Sequence, residues 1–325
     1  MTRFFRALCL SGALCLACLS VNAGGKLDLK AITKGEFSQE TMTAVRPSAD
    51  GETYTQISSD GKQIVSYSFR TGKQESVVFD AATARGGQVS RVDNYIMSPD
   101  GRRILIQTQT KPIYRRSFTA VYYIYDIRNN KLEPLSDGGP QQTPVFSPDG
   151  NQIAFVRDNN IYLVKLLYDN AESQVTKDGK RNEVLNGIPD WVYEEEFSTN
   201  SSMVFSADSK QIVWIRYDET DVKQFSLQLF KGMYPEKPEF AEYPGDYTYK
   251  YPVPGQVNSK VSVHSFDIKS HQTRRIELPL DADGYIPRIK ATSDPTKIAI
   301  FTLNRHQDVL RIYMANPLST VCQLA

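Results

Sequence analysis

An all-β fold made of repeated antiparallel sheets is predicted by three features of this 325-residue sequence. The first is a recurring turn: "SADG" at Ser48 to Gly51, "SSDGK" at Ser58 to Lys62, "SPDG" at Ser98 to Gly101 and again at Ser147 to Gly150, "SADSK" at Ser206 to Lys210 and "SDPTK" at Ser293 to Lys297. Proline presets the first turn dihedral, aspartate bonds the backbone ahead of it and glycine takes a positive φ, which is tight hairpin chemistry. The second is the short β-rich run after most copies: "KQIVSYSF", "RRILIQTQ", "NQIAFVRD", "KQIVWIRY" and "TKIAIFTL". The third is the spacing, with 40 residues from Asp60 to Asp100, 49 to Asp149, 59 to Asp208 and 86 to Asp294. An all-β period of about 40 to 50 residues is the pattern of a β-propeller blade, whereas a β-sandwich alternates strands and turns without such a period.

The two longer intervals imply insertions, or a blade whose turn has drifted. Between the turns lie further strand pairs such as "AVYYIYDIRNNKLEPLS", "NIYLVKLLYDNAESQVT" and "KVSVHSFDIKSHQTRRIELP". Each reads as a strand, a polar tip and a second strand. The count is about five blades, and nothing returns to close a ring. The last strand, "VLRIYMAN", is followed by "ANPLSTVCQLA" with no recognisable capping turn, so Ala325 is expected to be a truncation.

At the other end, Arg3 and Arg6 precede an apolar run from Ala7 to Val21 and the small-residue site Val21-Asn22-Ala23. That is the pattern of a secretory signal peptide, residues 1–23, too short for the roughly 20 apolar residues of a membrane span. Residues 24–325 then form the mature segment, roughly 300 residues, enough for one large β domain or two ordinary ones. Cys9, Cys15 and Cys18 fall inside the signal, and Cys15-Leu16-Ala17 is a poor lipid-anchor pattern ahead of Cys18. Only Cys322 remains, so an exported chain would have no internal disulfide framework. With 38 basic and 37 acidic residues the net charge is +1, and no global field draws nucleic acid.

Two constellations could carry chemistry. In "GIPDWVYEEEF", Gly187 to Phe197, Pro189 and Asp190 read as a helix start, with Asp190 capping the first turn and Glu194, Glu195 and Glu196 in the turns that follow. An acidic helix tip is ordinarily solvated. Set on a helix inserted in a β repeat and anchored by Trp191 and Tyr193, however, these carboxylates would stand at a fixed place and suit an ammonium group. In "KPIYRRSFTAVYYIYD", Lys111 to Asp126, Arg115 and Arg116 sit between Tyr114 and Phe118 at a strand entry. A guanidinium there could hold a carbonyl or carboxylate, or simply protect a sheet edge. No G-x-S-x-G elbow occurs, and His264, His271 and His306 lack metal-ligand spacing, so neither a metal nor a cofactor is expected.

At "DWVYEEEF" the sequence resembles the dipeptidyl peptidase IV family of serine exopeptidases, its bacterial members most closely. "YRRSFTAVYYIYD" is similar to the family's arginine-bearing strand, and the likeness covers essentially the whole mature segment. The resemblance implies an eight-bladed N-terminal propeller, here partial, ahead of an α/β-hydrolase domain that holds the serine, aspartate and histidine of the triad and lies outside these residues. It further implies that Glu195 and Glu196 bind the free α-amine of a peptide and Arg115 a carbonyl of it, with Tyr193 and Trp191 in support. Release of dipeptides with proline or alanine at the second position, a periplasmic, surface or extracellular place, and a homodimer are implied in the same way. The competing reading is a non-catalytic periplasmic β-propeller that binds peptides or a protein partner.

Overall fold

The computed structural model describes residues 28–39, 44–230, 240 and 242–325, so the signal segment 1–23 lies outside the described residues. The chain divides into two compact units, Met1–Ala44 and Val45–Ala325. In the first, the described residues include a five-residue helix, α1 (Leu29–Thr33), capped by Asp28, whose carboxylate accepts the Ala31 N–H at 2.7 Å.

The second unit is almost all β. Its first sheet is the meander β1 (Arg46–Pro47), β2 (Thr53–Ile57), β3 (Gln63–Ser68) and β4 (Gln74–Asp80). The second holds β5 (Arg85–Gly86), β6 (Asn94–Met97), β7 (Arg103–Pro112), β8 (Phe118–Asp126) and β9 (Lys131–Pro134), in the order β5-β9-β8-β7-β6. The third is β10 (Gln142–Phe146), β11 (Gln152–Arg157), β12 (Asn160–Lys165) and β13 (Ala171–Gln174).

The fourth sheet contains both insertions. Helix α2 (Trp191–Glu196) falls between β14 (Val184–Asn186) and β15 (Met203–Phe205). A two-stranded hairpin, β17 (Gln224–Leu229) and β18 (Gly245–Lys250), separates β16 (Gln211–Asp218) from its partner β19 (Lys260–Asp267), and β20 (Gln272–Ile276) completes the order β14-β16-β19-β20. These two inserts account for the 59- and 86-residue intervals. The fifth sheet is β21 (Tyr285–Ala291), β22 (Ile298–Leu303), β23 (Leu310–Ala315) and β24 (Cys322–Leu324). The segment after "VLRIYMAN" thus departs from the sequence expectation. Asn316 accepts the N–H groups of Leu318 and Ser319 through its side chain, forming a turn that brings β24 back onto β23.

Side chains alternate across each strand, so a strand buried on both faces feeds two cores. Ile104 and Ile106 of β7 pack with Ile64 and Phe79 of the first sheet, while Leu105 between them packs with Ile153 and Phe155 of the third. Along β11, Ile153 and Phe155 face the second sheet, and Ala154 and Val156 meet Ile212 and Trp214 of the fourth. Along β16, Val213, Ile215 and Tyr217 reach Ile298 and Ile300 of the fifth. The runs "RRILIQ", "NQIAFV" and "KQIVWI" are uninterrupted because they serve two neighbours at once. Among the described residues no hydrophobic cluster joins the first sheet to the fifth, so these sheets form no closed ring.

The repeated turns share one wiring. The hydroxyls of Ser58, Ser98, Ser147 and Ser206 each donate to the aspartate two residues on, at 2.5–2.7 Å, and accept the N–H five residues on, at 2.9–3.0 Å. In the last copy the hydroxyl belongs to Thr292 rather than Ser293: it accepts the Asp294 N–H at 3.1 Å and bonds the Lys297 carbonyl at 2.8 Å. The turns also touch one another. Arg103 Nη1 donates to the Gly150 carbonyl at 3.1 Å, and the Asp149 N–H donates to Ser209 Oγ at 3.0 Å. The period in sequence is therefore a row of contacting turns in space.

Gly101 and Gly150 both sit at positive φ, +68° and +70°. A Cβ at 101 meets nothing within 4 Å, whereas one at 150 falls 2.9 Å from Asp100 Cγ, an atom fixed by Ser98. Gly101→Ala is expected to cost about 1–2 kcal/mol from the backbone alone. Gly150→Ala is expected to cost more, because Asp100 must leave its turn. Urea midpoints of the two variants check the ranking.

Candidate functional site

A helix of six residues is too short to persist by itself and depends on tertiary ties. At its N-terminus Asp190 is buried and accepts the Tyr193 N–H at 2.9 Å on one oxygen and the Ser259 hydroxyl on the other. Burial pushes the Asp190 carboxyl above its ordinary value, and those hydrogen bonds act against the rise. In the middle, Tyr193 is fully buried, its ring edge-on to Tyr217 at 4.9 Å, and its hydroxyl accepts the Ile286 N–H at 3.1 Å. At the C-terminus Arg288 Nη2 donates to the Phe197 carbonyl.

The three glutamates have three different environments. Glu194 is fully buried, and its Oε1 accepts the N–H groups of Arg116 and Ser117 at 2.6 and 2.8 Å. The solvated-tip expectation fails for it. Glu195 is partly buried, with 20% of its side chain exposed, and both its oxygens receive Arg115 Nε, at 2.8 and 3.1 Å. Glu196 is exposed and has no hydrogen bond or ion pair among the described residues.

Arg115 and Arg116 stand on the tight tip between β7 and β8, closed by the Ile113 N–H to the Ser117 carbonyl at 2.8 Å. A register shift at Thr108/Lys111, with Gln109 at φ 53°, bends β7 just before the tip, as bulges beside functional sites do. Sequence positions 80 apart are thereby joined: the candidate residues Arg115 and Glu195 form one ion pair beside Glu196. The Arg115 side chain is 71% exposed, which places the pair in the weak surface class, under about 1 kcal/mol, so a competing cation or anion can enter it.

The inserted hairpin adds residues that the sequence reading missed. Tyr247, Tyr249 and Tyr251 alternate along one face of "DYTYKY". Tyr251 lies on Trp191 at 3.9 Å between ring centres, and Tyr249 lies against Tyr114 at 5.5 Å. Burial pushes the Tyr249 hydroxyl up, and its neighbours Tyr251, Tyr247 and Glu195 add to the rise. The period-two tyrosines were the available signal, but nothing in the sequence says which surface they cover. Trp191 is thus a packing residue for the hairpin, and Tyr193 a core anchor of α2. Behind this aromatic wall opens a cavity of about 920 Å³ whose lining includes Tyr114, Asp190, Trp191, Glu219, Tyr247 and Tyr249. Arg115, Glu195 and Glu196 are not part of that lining.

The family model for the dipeptidyl peptidase IV (DPP IV) N-terminal region matches residues 98–325, more than half of the chain. The chain belongs to the dipeptidyl peptidase IV family. Dipeptidyl peptidase 4 of Porphyromonas gingivalis superposes with a TM-score of 0.86 at 41% identity, over 92% of this chain and 42% of that one. Probable dipeptidyl-aminopeptidase B of Aspergillus fumigatus is 32% identical over 265 residues, and that of Emericella nidulans 36% over 231. The chain spans about a quarter of the length of these curated relatives, 28% and 25%. The part of the family that it matches is the N-terminal region. Among the described residues no cluster of His, Cys, Asp or Glu could hold a metal, and no helix is long and apolar enough to cross a membrane.

Glu219, on the cavity wall, is buried, and this pushes its carboxyl up to about 7, with the Asp190 charge adding to the rise and Lys250 opposing it. Between pH 4.5 and 7 this carboxyl therefore keeps a proton in the folded chain that it has lost in the unfolded one, and its contribution to stability falls as pH rises through that window. Buried His264, pushed down to about 4, offsets this up to about pH 6.5, so urea midpoints are expected to drop between about pH 6.5 and pH 7.5 and level off above. Glu219→Gln is expected to flatten the decline, and an unchanged slope in that variant would contradict the assignment.

Proposed function

We propose that this chain is the substrate-anchoring part of an exported serine exopeptidase that releases N-terminal dipeptides, X-Pro or X-Ala, by holding the free α-amine of the peptide. Its five sheets are blades of a larger propeller, and the nucleophile stands on a hydrolase domain beyond these residues. The observation that carries the reading is the pairing of Glu195 with Arg115 beside the unpartnered Glu196, on a helix tied at both ends and in the middle.

An ammonium offers three donors, and two carboxylates on adjacent helical residues offer the acceptors. Arg115 is a fork-shaped donor at the same place, suited to a peptide carbonyl. Amine and carbonyl would then be held by opposite charges that already balance each other in the empty site, so binding exchanges one set of ion pairs for another. Fixing the amine sets how far along the chain the scissile bond falls, which makes the enzyme a ruler for dipeptides. Holding a substrate in one orientation also removes a large entropic part of the barrier. The names of the relatives, dipeptidyl peptidase and dipeptidyl-aminopeptidase, agree with action at a peptide N-terminus.

In the full-length enzyme, Glu195→Ala and Glu196→Ala are each expected to raise KM for an Ala-Pro chromogenic amide by about tenfold or more, as loss of a charged hydrogen bond of about 1.5–3 kcal/mol requires. N-acetylation of the substrate should abolish turnover by the wild type. Equal affinity for free and N-acetylated peptides would remove the ammonium role from both residues. A large fall in melting temperature with unchanged KM would reduce Glu195 to a structural element.

A further inference from the structure

We propose that Glu194 is the positioning residue for Arg115: its buried carboxylate clamps the β7–β8 tip by two backbone hydrogen bonds and so sets where the guanidinium stands against Glu195. The geometry is independent of the proposed function, and only its consequence for substrate affinity rests on amine binding.

Glu194 differs from its two neighbours in having no route to a ligand. It is fully buried, and its Oε1 meets two adjacent backbone donors, Arg116 N–H and Ser117 N–H, at 2.6 and 2.8 Å. Its Oε2 is buried and has no hydrogen-bond partner among the described residues. A carboxylate so placed is satisfied only while those two donors stay where they are, because no water replaces them. Displacing the tip would leave a desolvated carboxylate unpaired, which makes the tip stiff.

The flanking bonds lead to the same helix. Asn200 Nδ2 donates to the Arg116 carbonyl at 3.1 Å, and Arg116 Nη2 donates to Ser198 Oγ at 3.1 Å. Both partners lie just beyond α2. The backbone around Arg115 is thus tied to the glutamate helix, while the Arg115 side chain itself is largely exposed and, among the described residues, held only by Glu195. An exposed arginine has many rotamers to give up when it binds. Anchoring the backbone on both sides narrows the range over which its guanidinium can search. In this arrangement Glu194 sets the root of the side chain, Glu195 holds its tip, and the helix carries both acids in fixed register.

Three substitutions separate this role from a charge effect and from plain stability. Gln at 194 keeps an oxygen able to accept both N–H groups, Asp is one methylene too short to reach them, and Ala removes the acceptor. Hydrogen exchange at the Arg116 and Ser117 amides reads the clamp directly. Protection is expected to survive in Glu194→Gln and to fall at least tenfold in Glu194→Asp and Glu194→Ala, with core amides such as that of Ile215 unchanged. In the full-length enzyme, KM for the Ala-Pro amide is expected to rise about tenfold in Glu194→Ala with a smaller change in kcat, and to stay near wild type in Glu194→Gln. In an Arg115→Ala background the added Glu194→Ala change is expected to raise KM less than about threefold, because there is no longer a guanidinium to place.

Equal effects of Glu194→Ala with and without Arg115, or a Gln variant as impaired as the Ala variant, would overturn the proposal in favour of a direct charge effect. Loss of amide protection with KM unchanged would overturn the positioning consequence. A wild-type enzyme indifferent to N-acetylation would instead refute amine binding, leaving the exchange result to judge the clamp alone.

Discussion

A carboxylate taken out of water must find fixed donors, and Asp190 and Glu194 find theirs in parts of the chain far from α2. Asp190 takes the Ser259 hydroxyl from beyond the inserted hairpin, and Glu194 takes two amides from the tip between β7 and β8. Tyr193 adds a third attachment, to Ile286 of the fifth sheet. A six-residue helix with no independent stability thereby becomes a junction between the second, fourth and fifth sheets. The exposed carboxylate of Glu196 and the largely covered one of Glu195 can hold a fixed direction because Tyr193 and Glu194 beside them are buried.

The sheets supply the rigidity this junction needs. The central strands of the second, third and fourth sheets each divide their side chains between two neighbouring cores, as Ile104, Leu105 and Ile106 do, so none of these three sheets can shift without disturbing two interfaces. The row of turns reinforces the stack along one edge, where the side chain of one turn bonds the backbone of another. Both inserts that build the site, α2 and the β17–β18 hairpin, interrupt the fourth sheet. The regular repeat provides the frame and, at the β7–β8 tip, Arg115, while its interruptions carry the candidate glutamates and the tyrosines beside them.

The frame was legible in the sequence because turn chemistry is local. Serine, aspartate and glycine within four residues determine a turn, and the five β-rich runs after them are the central strands. Legibility ended where a partner is distant in sequence. Asp190 was readable as a helix cap, since its bond to Tyr193 spans three residues, but its Ser259 bond spans 69. The burial of Glu194 was not readable, because in isolation a glutamate beside two others looks solvated, and its two donors lie 77 and 78 residues away. The last turn was misplaced by one residue because Thr292 and Ser293 both offer a hydroxyl, and only the backbone path selects between them. β24 was missed because "TVCQL" is too short to signal a strand without β23 beside it.

Amine anchoring by α2 requires a particular place for one atom. A crystal structure of the full-length enzyme, made inactive at its nucleophile and soaked with an Ala-Pro-Ala tripeptide, tests it most directly. The terminal ammonium nitrogen should lie within hydrogen-bonding distance, about 2.7–3.2 Å, of carboxylate oxygens of both Glu195 and Glu196, with Arg115 turned to a peptide carbonyl. A tripeptide bound with its amine elsewhere, the Arg115–Glu195 pair still closed and Glu196 facing only water, would contradict the claim that this helix is the amine anchor.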